Sequence, residues 1–187
     1  MEETRRTKMT KKMIKDAFLE LLEEQKTDKI SVTDICKRAD VNRSTFYAYY
    51  YDVETLLHEI ENEVLERIPV TDSLNAIYSD NGYLSLLENF FGYLQENERV
   101  FRLLMIQADN SHFNRRLVNT VMEKYNMLSN IEDPLLARYG YIFVINGVIG
   151  LVKEWISGKF PVSARKFSEI VLKMSLRSNQ INDIDMK

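Results

Sequence analysis

The stretch Ser31-Val32-Thr33-Asp34-Ile35-Cys36-Lys37-Arg38-Ala39-Asp40-Val41-Asn42-Arg43-Ser44-Thr45-Phe46-Tyr47-Ala48-Tyr49-Tyr50 decides how this chain folds. Ser31 stands where a helix N-cap belongs, and Asp34 three residues on makes an approximate capping box, so a short helix is expected over about 32–39. Asp40 tolerates the left-handed conformation that a tight inter-helix turn requires. Asn42 can accept bonds from the first amides of a next helix, expected over about 43–50. Two short helices joined by about three residues form a helix-turn-helix, whose second member normally enters the DNA major groove. Ile30, Val32, Ile35, Ala39, Val41, Phe46 and Tyr50 would close its small core.

Working outward, Met9, Ile14, Ala17, Phe18, Leu21 and Leu22 recur at helical spacing with Lys11, Lys12, Lys15 and Asp16 mostly opposite, which predicts a supporting amphipathic helix ended by Thr27-Asp28-Lys29. A connecting helix from Asp52 to Ile68 uses Leu56, Leu57, Ile60, Val64, Leu65 and Ile68, and Pro69 stops it. The Pro, Ser, Asp and Asn residues of 69–82 mark a connection. Further helices are expected over about 83–97, 98–107, 113–130, 135–157 and 163–178. The fold class is therefore all-α.

Composition agrees. Among 187 residues there are only 6 Gly and 3 Pro, too few turn formers for a many-stranded sandwich or barrel. Hydrophobic residues at 45% and charged residues at 28% match a globular chain. The longest uncharged run, Tyr139–Val152, is too short to cross a bilayer, and no signal-type apolar run follows the basic N-terminus, so a cytoplasmic protein without a membrane partner is expected. Cys36 is the single cysteine; with His58 and His112 it makes no ligand spacing, so no metal and no cofactor are implied. No nucleophile elbow or Gly-rich phosphate loop points to an enzyme.

The net charge of −3 hides an asymmetry: residues 1–50 hold 11 Lys/Arg against 9 Asp/Glu, residues 51–187 hold 14 against 19, and residues 1–15 alone carry six basic to two acidic. A basic end on an acidic body suits a nucleic-acid reader, and equally a solvated helix end. The late helix around Tyr139–Trp155 is apolar nearly all round and interrupted by Gly140, Gly147 and Gly150. Each Gly costs about 1 kcal/mol of helix propensity against Ala, which close helix approach would offset at a subunit interface, or in the core of a monomer.

The 31–50 stretch, centred on Ile35, Ala39, Val41, Ser44-Thr45-Phe46-Tyr47 and continuing to Leu56-Leu57, resembles the DNA-binding module of the TetR family of bacterial transcriptional regulators, over about residues 10–65. The resemblance implies a three-helix DNA-binding domain over 1–52 and a larger helical effector-binding and dimerisation domain over 53–187. It puts Arg43 and Ser44 on the leading turn of the recognition helix, with Asn42 before them. Thr45, Tyr47 and Tyr49 lie along the groove wall, and Ser31 and Thr33 near a phosphate at the start of the preceding helix. Arg5, Arg6 and Lys8 form either a flexible arm reaching DNA or a tail without a role. Tyr47 and Tyr49 could instead be half-buried core. Two positions depart from the family pattern: Asp40 stands where a Gly is usual, and Val53 where a Lys commonly meets a phosphate; Tyr51 or Lys37 could substitute.

The stretch Asn146–Trp155 resembles the penultimate helix of a common C-terminal type in that family, which pairs with the last helix across a homodimer. This implies an interface of Gly147, Gly150, Leu151, Trp155, Phe167, Ile170 and Met174. Phe90, Phe91, Phe101, Met105, Met122, Tyr125 and Tyr141 are candidates to line an effector cavity, or are packed core. The expected function is a dimeric repressor that a small-molecule effector releases from a palindromic double-stranded operator. The alternative is a helical co-regulator or partner-binding module with weak or no DNA binding of its own.

Overall fold

The computed structural model describes residues 4–69, 82–108, 111–124 and 134–179, and among these every regular element is helical. The chain divides into two compact units. The first comprises Met1–Arg67 and Arg99–Asn110, the second Ile68–Glu98 and Ser111–Lys187. Packing thus groups the connecting helix and residues 99–110 with the first unit, so its boundary is not the one expected after residue 52.

In the first unit, α1 (Arg5–Glu24) opens on Thr4, whose hydroxyl accepts from the Thr7 amide at 3.2 Å, and buries Ile14, Ala17, Phe18, Leu19, Leu21 and Leu22. That cap makes the N-terminal segment helical from Arg5, where a flexible arm was one expectation. A single 3-10 turn (Thr27–Lys29) leads to α2 (Val32–Ala39), which lays Ile35, Cys36 and Ala39 against α1. Arg38 clamps the pair from outside, donating two bonds to Glu24 at 3.0 and 2.9 Å. The third helix, α3 (Arg43–Tyr47), is shorter than the expected 43–50 because Tyr49 and Tyr50 both direct their amides back to the Phe46 carbonyl. Burial of Phe46 and Tyr50, whose rings tilt together at 5.6 Å, draws the chain inward at that point.

Helix α4 (Val53–Glu66) starts from Asp52, which accepts the Thr55 amide at 2.7 Å, and buries Leu56, Ile60, Val64 and Leu65. Its Glu59 receives Lys15 at 2.6 Å, Lys11 at 3.3 Å and the Tyr50 hydroxyl at 3.2 Å, tying α4 to α1. The expected single helix over 98–107 is α6 (Glu98–Arg102) running into one π-helical turn (Leu103–Gln107), with the Ala108 amide reaching the Leu103 carbonyl five residues back. The wider turn lets Leu103, Leu104 and Met105 all be buried, and this segment packs on α1, where Arg99 donates to Glu23 at 2.7 Å.

The second unit contains α5 (Gly82–Glu96), α7 (Ser111–Lys124), α8 (Pro134–Ser157) and α9 (Ala164–Asn179). Helix α5 packs along α9, and α8 packs against α7 and α9. The core is aromatic: Trp155 stacks on Phe167 at 4.3 Å with planes 4° apart, while Phe91 and Phe160 meet these rings edge-on. The Trp155 indole donates to the Val162 carbonyl at 2.9 Å, which satisfies its N–H and fixes the turn after α8. In that turn Lys159 and Phe160 both take left-handed φ, 55° and 57°. Over Arg138–Ser157, α8 has a mean hydropathy of 1.2, long and apolar enough by length and composition to cross a bilayer, though the longest uncharged run suggested otherwise. Its packing on α7 and α9 gives part of that apolar surface a use within the unit.

Candidate nucleic-acid interface

The helix-turn-helix is built by local bonds before any packing is considered. The Ser31 hydroxyl accepts the Asp34 amide at 3.2 Å, and the Asp34 carboxylate accepts the Ser31 amide at 3.1 Å and its hydroxyl at 2.5 Å, a complete capping box. The Ser31 hydroxyl, then its amide, hold the Asp34 carboxyl below the ordinary aspartate range. At the other end of α2, Asp40 lies at φ 52°, ψ 47°, and the Val41 amide reaches back to the Cys36 carbonyl at 3.0 Å. The sequence placed the left-handed turn here, and an L residue holds it without glycine.

Asn42 occupies the N-cap of α3 with extended backbone, but its side chain caps nothing, contrary to the expectation that it would receive helix amides. Following it, Arg43 and Ser44 are exposed, Thr45 is half-buried and Phe46 is fully buried. Tyr47 is 56% and Tyr51 85% exposed, Tyr49 is half-buried, and Tyr50 is inside. The i, i+4 pair Phe46 and Tyr50 thus anchors the segment, while Arg43, Ser44, Tyr47 and Tyr51 face outward.

Arg43 donates through Nη2 to the Thr33 hydroxyl, a cross-link from α3 to the first turn of α2. Thr33, Cys36, Lys37, Asp40, Val41, Asn42 and Arg43 line a shallow groove of about 470 Å³ beside the exposed turn. Burial pushes the Cys36 thiol up, against the pull of Arg43, so the sulfur stays protonated and packs rather than reacts. Arg38, paired with Glu24 and Glu20, is held away on the α1 side. Val53, half-buried, opens α4 without a cation. Arg5, Arg6 and Lys8 are exposed on the first turn of α1, a turn with no acidic residue. Cations are disfavoured at the positive end of a helix, by about 0.3–1 kcal/mol each, and an external anion there would reverse that cost.

The expected C-terminal site residues are distributed differently. Trp155 and Phe167, expected at a subunit interface, are buried in the second unit's own core, where they stack on each other, Phe91 and Phe160 pack edge-on against them and the indole N–H reaches the Val162 carbonyl. Leu151 and Ile170 are half-buried, and Gly147, Gly150 and Met174 are exposed. A stripe the sequence reading did not single out joins the glycines: Tyr139, Phe143, Gly147 and Gly150 follow at spacings of four, four and three along α8. Tyr139 is 59% and Phe143 66% exposed, and a Cβ built on either glycine would meet nothing within 4 Å among the described residues.

Of the expected effector-cavity residues, Phe90, Phe91, Phe101 and Met105 are buried and Met122 is half-buried. Phe101 and Met105 belong to the first unit and the other three to the second. Tyr125 and the side chain of Tyr141 lie outside the described residues. A cavity of about 450 Å³ does exist in the second unit, but none of the seven lines it; its walls are Asn114, Arg115, Ile142, Ile145, Asn146, Ile149 and Lys153.

The family model TetR_C_8, described as a transcriptional regulator C-terminal region, matches residues 83–177, just over half the chain. The transcriptional activator DhaS of the dhaKLM operon from Lactococcus lactis subsp. lactis (strain IL1403) is 35% identical over 107 residues, 56% of this chain and 54% of its own. An HPr kinase/phosphorylase from Thermoanaerobacter sp. (strain X514) is 26% identical over 160 residues, 76% of this chain and 50% of its own. The chain thus spans about half the length of these curated relatives. Among solved structures, a TetR transcriptional regulator from Streptococcus agalactiae 2603V aligns with a TM-score of 0.69 at 22% identity, over 91% of this chain and 96% of that one, a likeness of fold.

Proposed function

Because the chain belongs to the TetR family of transcriptional regulators, we propose that it is a cytoplasmic, sequence-specific DNA-binding homodimer that reads a palindromic operator with the exposed turn of α3. The observation that carries this reading is the outward set Arg43, Ser44, Tyr47 and Tyr51, held on a turn whose inner side is pinned by Phe46 and Tyr50. A guanidinium at the leading turn can make two parallel bonds to a guanine edge, and hydroxyls with apolar rings suit phosphates and thymine methyls. Ser31, Thr33, Asn42, Thr45 and Tyr49 complete the contact set, with Arg5, Arg6 and Lys8 adding phosphate contacts from the first turn of α1. On binding, Arg43 exchanges its bond to Thr33 for one to a base, so Thr33 acts as a parking acceptor that pre-orients the side chain.

Two copies meet through the open stripe of α8. Its four-four-three spacing is that of a helix-pair seam, and unfilled glycines beside exposed rings suit a partner helix drawing close. An isologous dimer presents two reading turns to half-sites about 34–36 Å, or a multiple of that, apart. A ligand that favours one head spacing over the other controls occupancy, since equal affinity for both states shifts nothing. In the first reading the output is repression lifted by the ligand. The 35% identity to a protein named as an activator favours a second, in which the bound dimer recruits transcription. The kinase-named relative brings no phosphate loop to match in this sequence.

Gel shift with the DNA upstream of the chain's own coding sequence tests DNA reading. Arg43→Ala should lower specific affinity by about 1–3 kcal/mol, roughly fivefold to 150-fold, while leaving binding to scrambled DNA nearly unchanged. Equal affinity of the parent chain for both DNAs would refute a sequence reader and favour the co-regulator alternative. Transcription from that template with and without the protein assigns repression or activation.

A further inference from the structure

Within the second unit, the cavity of about 450 Å³ brings two cations and three isoleucines together. It lies between α7 and α8, which pack on each other, and is lined by Asn114 and Arg115 of α7 and by Ile142, Ile145, Asn146, Ile149 and Lys153 of α8. Ile142, Asn146, Ile149 and Lys153 follow at spacings of four, three and four, and Ile145 is three and four residues from Ile142 and Ile149, so all five share one face of the helix. Ile145 is buried, Ile149 and Lys153 are half-buried and Ile142 is 44% exposed, so the apolar wall runs from the core out to solvent. Arg115 and Lys153 form no ion pair among the described residues, whereas Arg165 pairs with Glu88 and Lys166 with Glu169 elsewhere in the same unit. No carboxylate lines the cavity. Its uncharged polar groups do not compete: Asn146 donates its Nδ2 to the Ile142 carbonyl at 2.7 Å, and Asn114 is 4% exposed with its Oδ1 enclosed. A concave surface whose charges all have one sign concentrates ions of the other, the more so beside low-dielectric walls.

We infer that this cavity binds a small organic anion built from a single anionic group on an apolar body, the chemistry of a medium-chain carboxylate. Arg115 and Lys153 supply the counter-charge, and the hydrocarbon covers the isoleucines. Each half of the lining rejects something: the two cations repel an amine of the same shape, a neutral alcohol leaves them without a counter-charge, and an anion without a body leaves the isoleucines wet. The volume falls within the usual range for small-molecule sites, about 300–1,000 Å³. None of the lining residues belongs to the Tyr139, Phe143, Gly147 and Gly150 stripe, so the site draws on different side chains from the pairing proposed above. The assignment names the ligand class for the effector reading and rests on that reading only for its consequence at DNA.

Isothermal titration calorimetry of the full chain tests it, with hexanoate, octanoate and decanoate as probes and 1-octanol, octylammonium and acetate as controls. Octanoate should bind saturably and about tenfold more tightly than 1-octanol, and neither octylammonium nor acetate should saturate. Affinity should rise about twofold to fourfold for each methylene added to hexanoate. Arg115→Gln and Lys153→Gln, which break no ion pair among the described residues, should each weaken octanoate about threefold to tenfold and together bring it level with 1-octanol. Replacing both by Glu should let octylammonium bind and octanoate not, a reversal that a mere loss of packing would not produce. Binding of no carboxylate, equal affinity of the parent chain for octanoate and 1-octanol, or octanoate affinity unchanged in the double glutamine variant overturns the assignment. Gel shift on the same samples keeps the two readings apart: DNA retardation without carboxylate binding removes the ligand site and leaves the regulator, and carboxylate binding without any change in retardation leaves the site and removes its effector role.

Discussion

Replacing Glu59 by Gln should weaken the first unit by an amount the geometry bounds. The carboxylate collects Lys15 at 2.6 Å, Lys11 at 3.3 Å and the Tyr50 hydroxyl at 3.2 Å. Glutamine keeps the shape and the acceptor for Tyr50 but removes the charge facing two ammonium groups. Exposed ion pairs contribute about 0–1 kcal/mol, and removing one partner of a fully buried pair costs about 3–5 kcal/mol. Glu59 retains 30% side-chain exposure and Lys15 13%, and Lys15 keeps Glu63 at 2.5 Å. The cost therefore falls toward the lower range, about 1–2 kcal/mol, or about 2–8 °C in melting temperature for a chain of this size.

The pH dependence gives a sharper check. Burial pushes the Glu59 carboxyl up, but Lys15, with Lys11 behind it, outweighs burial and holds the group below the ordinary glutamate range. A carboxyl depressed on folding adds stability that is fully present above its unfolded value and is lost as pH falls through its folded value. The gap between the parent chain and Glu59→Gln should therefore be widest near neutrality and close in acid. Thermal unfolding followed by far-ultraviolet circular dichroism at several pH values reads this directly. A variant melting within about 1 °C of the parent at pH 7, or a gap that widens on acidification, would refute the account of how α1 and α4 are joined.

Asp40→Gly should raise the stability of the first unit by about 0.5–1 kcal/mol in denaturant titration, because glycine adopts φ 52° without the cost an L side chain carries. Ser31→Ala should cost about 1 kcal/mol at pH 7. With the Ser31 hydroxyl gone, Asp34 moves back toward the ordinary aspartate range, so acid titration of the variant should lose part of the stability decline seen in the parent. Phe143→Glu, at a ring 66% exposed in the single chain, should leave helicity unchanged and turn a dimeric mass into a monomeric one by light scattering at micromolar concentration; an unchanged dimer would remove the α8 stripe from the interface.

Where local bonds settle the conformation, the sequence was readable almost to the residue. The Ser31 and Asp34 spacing fixed the start of α2, and Asp40 its end, since each signal acts within four residues. Legibility fell where the outcome depends on distant partners. Nothing near Tyr47 announces that the helix stops there; Tyr50 is drawn in by Phe46 beside it and by Glu59 on another helix. The π turn at Leu103–Gln107 answers the need to bury Leu103, Leu104 and Met105 together, which no propensity encodes. Trp155 and Phe167 read as interface residues because apolar residues on a late helix look alike whether they pack inward or onto a second copy. The stripe of Tyr139, Phe143, Gly147 and Gly150 was present as a spacing, but three-dimensional exposure was needed to separate it from the buried side.

The first unit is stitched from two separate pieces of chain, and this has a practical outcome for anyone wishing to transplant it. Cutting after residue 67 would discard Phe101, Leu103, Leu104 and Met105, all hidden in the intact protein, and would strip α1 of the neighbour that covers it. A chimera that exchanges the first unit must therefore carry 99–110 along with 1–67, or graft only the outward side chains of α3. The same stitching means that this unit cannot be completed until residues 99–110 are made, so residues 68–98 of the second unit are synthesised before the first can close.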